Sequence, residues 1–262
     1  MKIKFAKYHG AGNDFILLNE LNNPVLESAM IKTICDRHLG IGADGLILIK
    51  KNSTADFQMI YYNADGNLGS MCGNGARCAA VFAQEQGLTQ SNITNFKASD
   101  GSHTAKIFPD GSVKVSMSDV KAWKFADSDL IIDTGSPHYV KYVSGLNNFD
   151  VVAEGKKIRY SNEYNEQGIN VNFVEDELGQ LKVRTYERGV ENETLACGTG
   201  TVAVAISTRF KNGQPMDGKF EVAIKALGGD LIVIGEFAKT LFRNIYLTGP
   251  VQKVFESSIE VL

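Results

Sequence analysis

Ser70-Met71-Cys72-Gly73-Asn74-Gly75 and Leu195-Ala196-Cys197-Gly198-Thr199-Gly200 share the pattern Cys-Gly-x-Gly, with their cysteines 125 residues apart in a chain of 262. Each follows a strand-like run, Met59 to Asn63 in the first case and Val183 to Glu187 in the second. Each leads into a segment that is small and apolar on nearly every face. Gly73 to Glu85 carries Ala76, Ala79, Ala80, Val81 and Ala83, and Gly198 to Phe210 carries Val202, Ala203, Val204, Ala205 and Ile206. A helix without a polar face is buried all round. The offset is close to half the chain, so the pattern predicts an internal duplication with the halves joined near residue 118. The expected fold class is α+β, with two pseudo-symmetric halves that each curl strands around one central helix. The first half, 1–118, carries Cys72, and the second, 119–249, carries Cys197.

The strands should be mostly antiparallel. Asp-Gly, a strong short hairpin signal between alternating runs, occurs at Asp44-Gly45, Asp65-Gly66, Asp100-Gly101, Asp110-Gly111 and Asp217-Gly218. Ile107 to Val113 reads as one hairpin, and Val222 to Gly235 as another around Gly228-Gly229. Leu26 to His38 is the one further helical pattern, with Leu26, Met30, Ile34 and Cys35 along a stripe.

Composition sets the outer limits. Hydrophobic residues make up 44% and charged residues 22%, which excludes disordered and fibrous classes. The net charge of −3 offers no basic field for nucleic acid or an anionic membrane. No apolar run reaches the ~20 residues of a membrane span, and the opening Met1 to Phe5 is unlike a secretion signal. A cytoplasmic protein is expected, with Cys35, Cys72, Cys78 and Cys197 as reduced thiols. No cysteines are spaced as Cys-x-x-Cys, so no metal site is expected.

The duplicated loop carries the chemistry. Glycines let the backbone approach a ligand closely, and a helix start offers unpaired N–H groups with a partial positive charge. Such a site binds a carboxylate and stabilises a thiolate. A lone buried cysteine is usually a small hydrophobe, but two in equivalent positions of a duplicated fold are not. Pseudo-twofold symmetry would bring both helix starts to one cleft, where one thiolate removes a proton from a carbon and the opposite thiol returns one on the other face. That is a racemase or epimerase without a cofactor. At an unperturbed pKa near 8.5 only roughly 3% of a cysteine is thiolate at pH 7, and a helix start contributes at most about 2 kcal/mol. Nearby polar groups should therefore help to set the proton. The Gly73-Asn74 and Gly198-Thr199 amides are the natural donors to a substrate carboxylate.

The chain resembles the diaminopimelate epimerase family along essentially its whole length. The most specific parts are Asn63-Ala64-Asp65-Gly66-Asn67 with Cys72 to Arg77, and Glu187-Arg188-Gly189 with Ala196 to Gly200. His9 to Phe15, Gly135-Ser136-Pro137-His138 and Gly168 to Phe173 also resemble it, in order. The resemblance implies a pyridoxal-independent epimerase converting LL- to meso-diaminopimelate, in lysine and peptidoglycan-precursor synthesis, with neither cofactor nor metal. It implies Cys72 and Cys197 as the acid and base. Gly73, Asn74, Gly198 and Thr199 would hold the reacting carboxylate. Asn13, Asn63, Asn170, Glu187 and Arg188 would hold the substrate, largely at its distal amino-acid end, and His138 and Glu187 would tune the cysteines. A forked guanidinium suits a distal carboxylate. It further implies mixed sheets, a last strand over 250–262 crossing back to the first half, and a homodimer. The chain departs from the family at Gly45, Asn67 and Ser136, often glutamine, serine and asparagine there.

Other features read as structural. Gly40 to Gly45 spells G-x-G-x-x-G but precedes a strand, the reverse of the dinucleotide context. Cys35 and Cys78 belong to the core, Arg77 supports the first cysteine loop, and His38 and His103 are surface or capping residues. Lys156 to Arg159 is a solvated face. Three rival functions remain: a proline or hydroxyproline racemase on the same scaffold, a non-catalytic anion-binding module, and a thiol redox protein. The first would not need Glu187, Arg188 and the asparagines, and the second would not need cysteine.

Overall fold

The computed structural model describes residues 2–23 and 26–260. The chain forms two compact units, Met1–Val115 with Gly249–Leu262, and Ser116–Thr248. The first contains β1 (Lys2–Gly10), β2 (Asn13–Asn19), α1 (Ser28–Cys35), β3 (Gly45–Lys50), β4 (Phe57–Asn63), α2 (Gly73–Glu85), β5 (Ile93–Ala98), β6 (Gly101–Ile107) and most of β7 (Val113–Ser116). The second contains β8 (Trp123–Ala126), β9 (Asp129–Asp133), β10 (Pro137–Tyr142), α3 (Val151–Arg159), β11 (Asn170–Glu177), β12 (Gln180–Glu187), β13 (Asn192–Thr194), α4 (Gly198–Ser207), β14 (Phe210–Lys211), β15 (Gln214–Pro215), β16 (Gly218–Ala226), β17 (Gly229–Ala238) and all but the last residue of β18 (Leu241–Gly249). The last strand, β19 (Gln252–Glu260), pairs antiparallel with β1 from Lys2↔Glu260 to His9↔Gln252.

From β1 to β7 the pairings of successive strands run antiparallel, parallel, antiparallel, parallel, antiparallel, antiparallel. From β9 through β10, β11, β12, β16 and β17 to β18 the same series repeats. Parallel neighbours need a long crossover rather than a tight turn, and each helix supplies one. α1 joins β2 to β3, α2 joins β4 to β5, α3 joins β10 to β11, and α4 lies between β12 and β16. The architecture is α+β, with mixed sheets and few helices.

α2 packs against β1, β2, β3, β4 and β6, and α4 against β9 to β12, β16 and β17. Every residue from Gly198 to Ile206 is buried, as is every residue from Gly73 to Ala80. Small side chains let the sheet close on the helix: a Cβ on Gly75 would stand 2.8 Å from Ile47 Cδ1. α1 buries Ile31, Ile34 and Cys35 among Ile3, Phe5, Ile16, Leu18 and Leu46, each large apolar side chain contributing roughly 1.5–3 kcal/mol. No helix of the described residues is long and apolar enough to cross a membrane.

Several local expectations need correction. α3 is not legible as a helix in the sequence: Lys156 to Arg159 form its last turn, and only Val151 and Gly155 are fully buried, with Val152 and Ile158 packed beside them. α4 ends at Ser207, and Phe210 belongs to the short β14–β15 hairpin. Asp44-Gly45 and Asp217-Gly218 open strands rather than hairpins, because α1 and the β14–β15 hairpin precede them. His103 is buried, paired with Asp100 at 2.8 Å and stacked on Phe96.

Candidate active site

In the first unit the strand ends collect the predicted residues at one edge. Asn13 opens β2, Gly45 opens β3 and Asn63 closes β4, with Gly45 opposite Phe15 on one side and Asn63 on the other. Asn63 is exposed there. Cys72 caps α2 from an extended backbone, φ −112° and ψ 117°, and its Sγ accepts from the Gly75 amide at 3.5 Å. The sulfur donates to Asn13 Oδ1 at 3.7 Å, which also accepts from Asn74 Nδ2 at 3.3 Å. Asn13 Nδ2 donates to Asp44 Oδ2 at 2.6 Å. Arg77, fully buried, donates through Nη2 to Asn74 Oδ1 at 2.8 Å and through Nη1 to the Gly73 carbonyl at 3.3 Å. It thus supports the loop. Behind Asp44 lie Arg37, Asp14 and Lys7. Against the upward push of burial, hydrogen bonds from Arg37 and Lys7 hold the Asp14 carboxyl down to about 2.

The second unit repeats the layout with other side chains. Asn170 opens β11 opposite His138, Glu187 closes β12, and Cys197 caps α4 with the same φ −112° and ψ 117°. Asn170 thus occupies the place of Gly45, Glu187 that of Asn63, and Thr199 that of Asn74. Cys197 Sγ lies 3.5 Å from Thr199 Oγ1, which lies 2.8 Å from His138 Nε2 and 3.1 Å from Ser136 Oγ. Asn170 Nδ2 donates to Ser136 Oγ at 3.2 Å, and Asn170 Oδ1 accepts from the Arg188 amide at 2.9 Å. Burial, reinforced by the Arg188 charge, pushes His138 down to about 3, so the ring is neutral. Glu187 and Arg188 are half-buried; Glu187 accepts from Thr194 Oγ1 at 2.7 Å, and the Arg188 guanidinium donates to the Gln167 carbonyl at 3.0 Å.

The departures have local causes. A Cβ at Gly45 would stand 2.5 Å from both Tyr61 Cε2 and the Tyr62 carbonyl, so this backbone holds no side chain there. Asn67 closes the turn after β4 through Asp65. Ser136, short as it is, reaches His138, Thr199 and Asn170. Asn172, Thr185 and Asp44 were missed. Asn172 had a signal, since alternation along a strand puts it on the same face as Asn170.

Each unit thus presents a cysteine at a helix start, where the helix carries a partial positive charge. The surroundings differ. Cys72 faces an amide oxygen that only accepts, whereas Cys197 faces a hydroxyl able to donate.

The fold is an α+β architecture that this chain shares with solved structures of more than one kind. A hydroxyproline epimerase from Agrobacterium vitis superposes with a TM-score of 0.70 at 14% identity, covering 98% of this chain and 92% of that one. A phenazine biosynthesis protein of the PhzF family from Bacillus anthracis superposes with a TM-score of 0.78 at 15% identity over the whole of both chains. At these identities the likeness is one of fold. Sequence narrows the class. The model of the diaminopimelate epimerase family matches residues 5–123 and 130–254. The diaminopimelate epimerase of Flavobacterium psychrophilum is 44% identical over 98% of this chain and 100% of its own. That of Chlorobaculum tepidum is 40% identical over 95% and 98%. The chain belongs to the diaminopimelate epimerase family, a family of isomerases.

Proposed function

We propose that this protein interconverts LL- and meso-diaminopimelate in lysine and peptidoglycan-precursor synthesis, using Cys72 and Cys197 as the acid–base pair and no pyridoxal. The observation that carries this reading is the pair of cysteine caps, alike in backbone angles but facing different side chains, an amide oxygen at Cys72 and a hydroxyl at Cys197. A one-carbon inversion needs one sulfur ionised and one protonated. Asn13 Oδ1 favours a protonated Cys72; Thr199 favours an ionised Cys197.

In this reading the Cys197 thiolate removes the α-proton of one stereoisomer while the Cys72 thiol delivers a proton to the other face. The reverse reaction exchanges the roles. The electron pair left on carbon spreads into the carboxylate, which the amides of Gly73, Asn74, Gly198 and Thr199 receive. Preorganised donors of this kind contribute about 2.7–4 kcal/mol each in comparable sites. Arg188 and Glu187 suit the distal carboxylate and ammonium, with Asn13, Asn63 and Asn170 completing that end. The two units are read as duplicated domains. The enzyme would act in the cytoplasm on a free small molecule, consistent with a net charge of −3. The test is incubation of the reduced protein with diaminopimelate in deuterated water with nothing else added. Deuterium at the α-carbon supports the assignment, and an unexchanged α-proton removes it.

A further inference from the structure

His138 is wholly buried and its two ring nitrogens face different partners. Nε2 lies 2.8 Å from Thr199 Oγ1, while Nδ1 lies 3.1 Å from Asn172 Nδ2. Asn172 is itself wholly buried, and its amide is pinned at both ends. Nδ2 donates to the Tyr139 carbonyl at 3.1 Å, and Oδ1 accepts from Thr185 Oγ1 at 3.0 Å. A carbonyl can only accept, so the amide group facing both Tyr139 and the ring is the NH₂ end. Nδ1 must then accept, and a neutral imidazole carries its single proton on Nε2.

We propose that Asn172, oriented by Thr185 and the Tyr139 carbonyl, is the positioning residue that fixes the Nε2–H tautomer of His138 and thereby turns the Thr199 hydroxyl proton toward Cys197 Sγ. The directions follow from one another. Asn170 Nδ2 donates to Ser136 Oγ, and both Ser136 Oγ and His138 Nε2 lie within bonding distance of Thr199 Oγ1. The Nε2 proton has two acceptors, Thr199 Oγ1 and Ser136 Oγ at 3.0 Å; with every proton kept inside the cluster Thr199 accepts in either case, and its own proton goes to the sulfur at 3.5 Å. The opposite tautomer would set Nδ1–H against an N–H of Asn172, two buried donors face to face. It would also leave Nε2 competing with Cys197 for the Thr199 proton.

Gly200, in the first turn of α4, lets the amide pack close against the cysteine loop: a Cβ there would stand 2.3 Å from Asn172 Oδ1. Of the charged side chains on the surrounding elements, Arg188 acts on the ring, while Lys141 is engaged by Asp129 and Arg184 by Glu193. The tautomer stands on geometry alone; its consequence for Cys197 rests on the proposed function.

The test uses the full-length reduced protein with ¹⁵N-labelled histidine. Long-range ¹H–¹⁵N correlation at pH 7 should show His138 protonated on Nε2; a proton on Nδ1 overturns the proposal. In Asn172→Asp the new acceptor draws the proton to Nδ1. Alkylation of Cys197 by iodoacetamide at pH 7, followed by peptide mass spectrometry, should then slow at least 10-fold while Cys72 stays within twofold. An unchanged Cys197 rate in a folded variant with the flipped tautomer overturns it too. Should that variant not fold, Asn172→Leu removes the donor without adding charge, and the same slowing or its absence decides. The expected tautomer and alkylation without deuterium exchange into diaminopimelate would sink the functional reading and leave this assignment standing.

Discussion

Thr199→Val removes the hydroxyl 3.5 Å from Cys197 Sγ and keeps the side chain's shape. A hydrogen bond to a charged group contributes about 1.5–3 kcal/mol, equivalent to roughly 1–2 pKa units on the thiol. Losing that donor shifts the thiol–thiolate balance of Cys197 toward the thiol, leaving less of the reactive form at pH 7. The expected loss in kcat/KM at pH 7 is therefore about 10- to 30-fold, recovering as pH approaches 9. The fold should survive, because His138 Nε2 retains Ser136 Oγ at 3.0 Å and the Thr199 carbonyl still accepts from Thr134 Oγ1 at 2.8 Å. The assay is a pH series of cysteine alkylation rates resolved by peptide, paired with turnover of LL-diaminopimelate. An unshifted Cys197 profile in a folded variant would refute the idea that Thr199 sets the thiolate.

Arg188→Ala should raise KM for diaminopimelate well over 10-fold while the alkylation profiles of both cysteines move little; an unchanged KM contradicts its distal role. Because burial lowers His138 from its unfolded value near 6.5 to about 3, the unfolded chain binds one more proton in that window. Stability should thus be full above pH 6.5 and fall by up to about 1.4 kcal/mol per pH unit down to pH 3, and chemical unfolding of His138→Gln should lack that slope. Gly45→Ala should destabilise by about 1–3 kcal/mol, since its Cβ meets Tyr61 and the Tyr62 carbonyl at 2.5 Å; thermal unfolding within error of wild type would show that β3 and β4 have room.

The central helices and the loops before them were legible because their composition is extreme. A helix such as Gly198–Ser207 with no polar face has one place to go, inside a sheet. α3 escaped because Glu154, Lys156, Lys157 and Arg159 mask a short buried edge at Val151 and Gly155. It is the counterpart of α1 and the crossover that the parallel β10–β11 pair requires. Asp44-Gly45 misled for the same reason: turn chemistry is local, whereas pairing depends on the intervening helix. The site residues named from pattern were those whose motifs recur around the cysteines. Asn172 and Thr185 lie behind His138 on neighbouring strands, and only the β11–β12 register, Asn172↔Thr185, brings them face to face.

The most direct measurement is the fate of the substrate α-proton when each sulfur is removed in turn. The wild-type protein, reduced and without added cofactor, should wash solvent deuterium into the α-carbon of diaminopimelate and invert it. Folded Cys72→Ala and Cys197→Ala should each fail to invert. Near-normal inversion by either single variant would contradict the two-sulfur account.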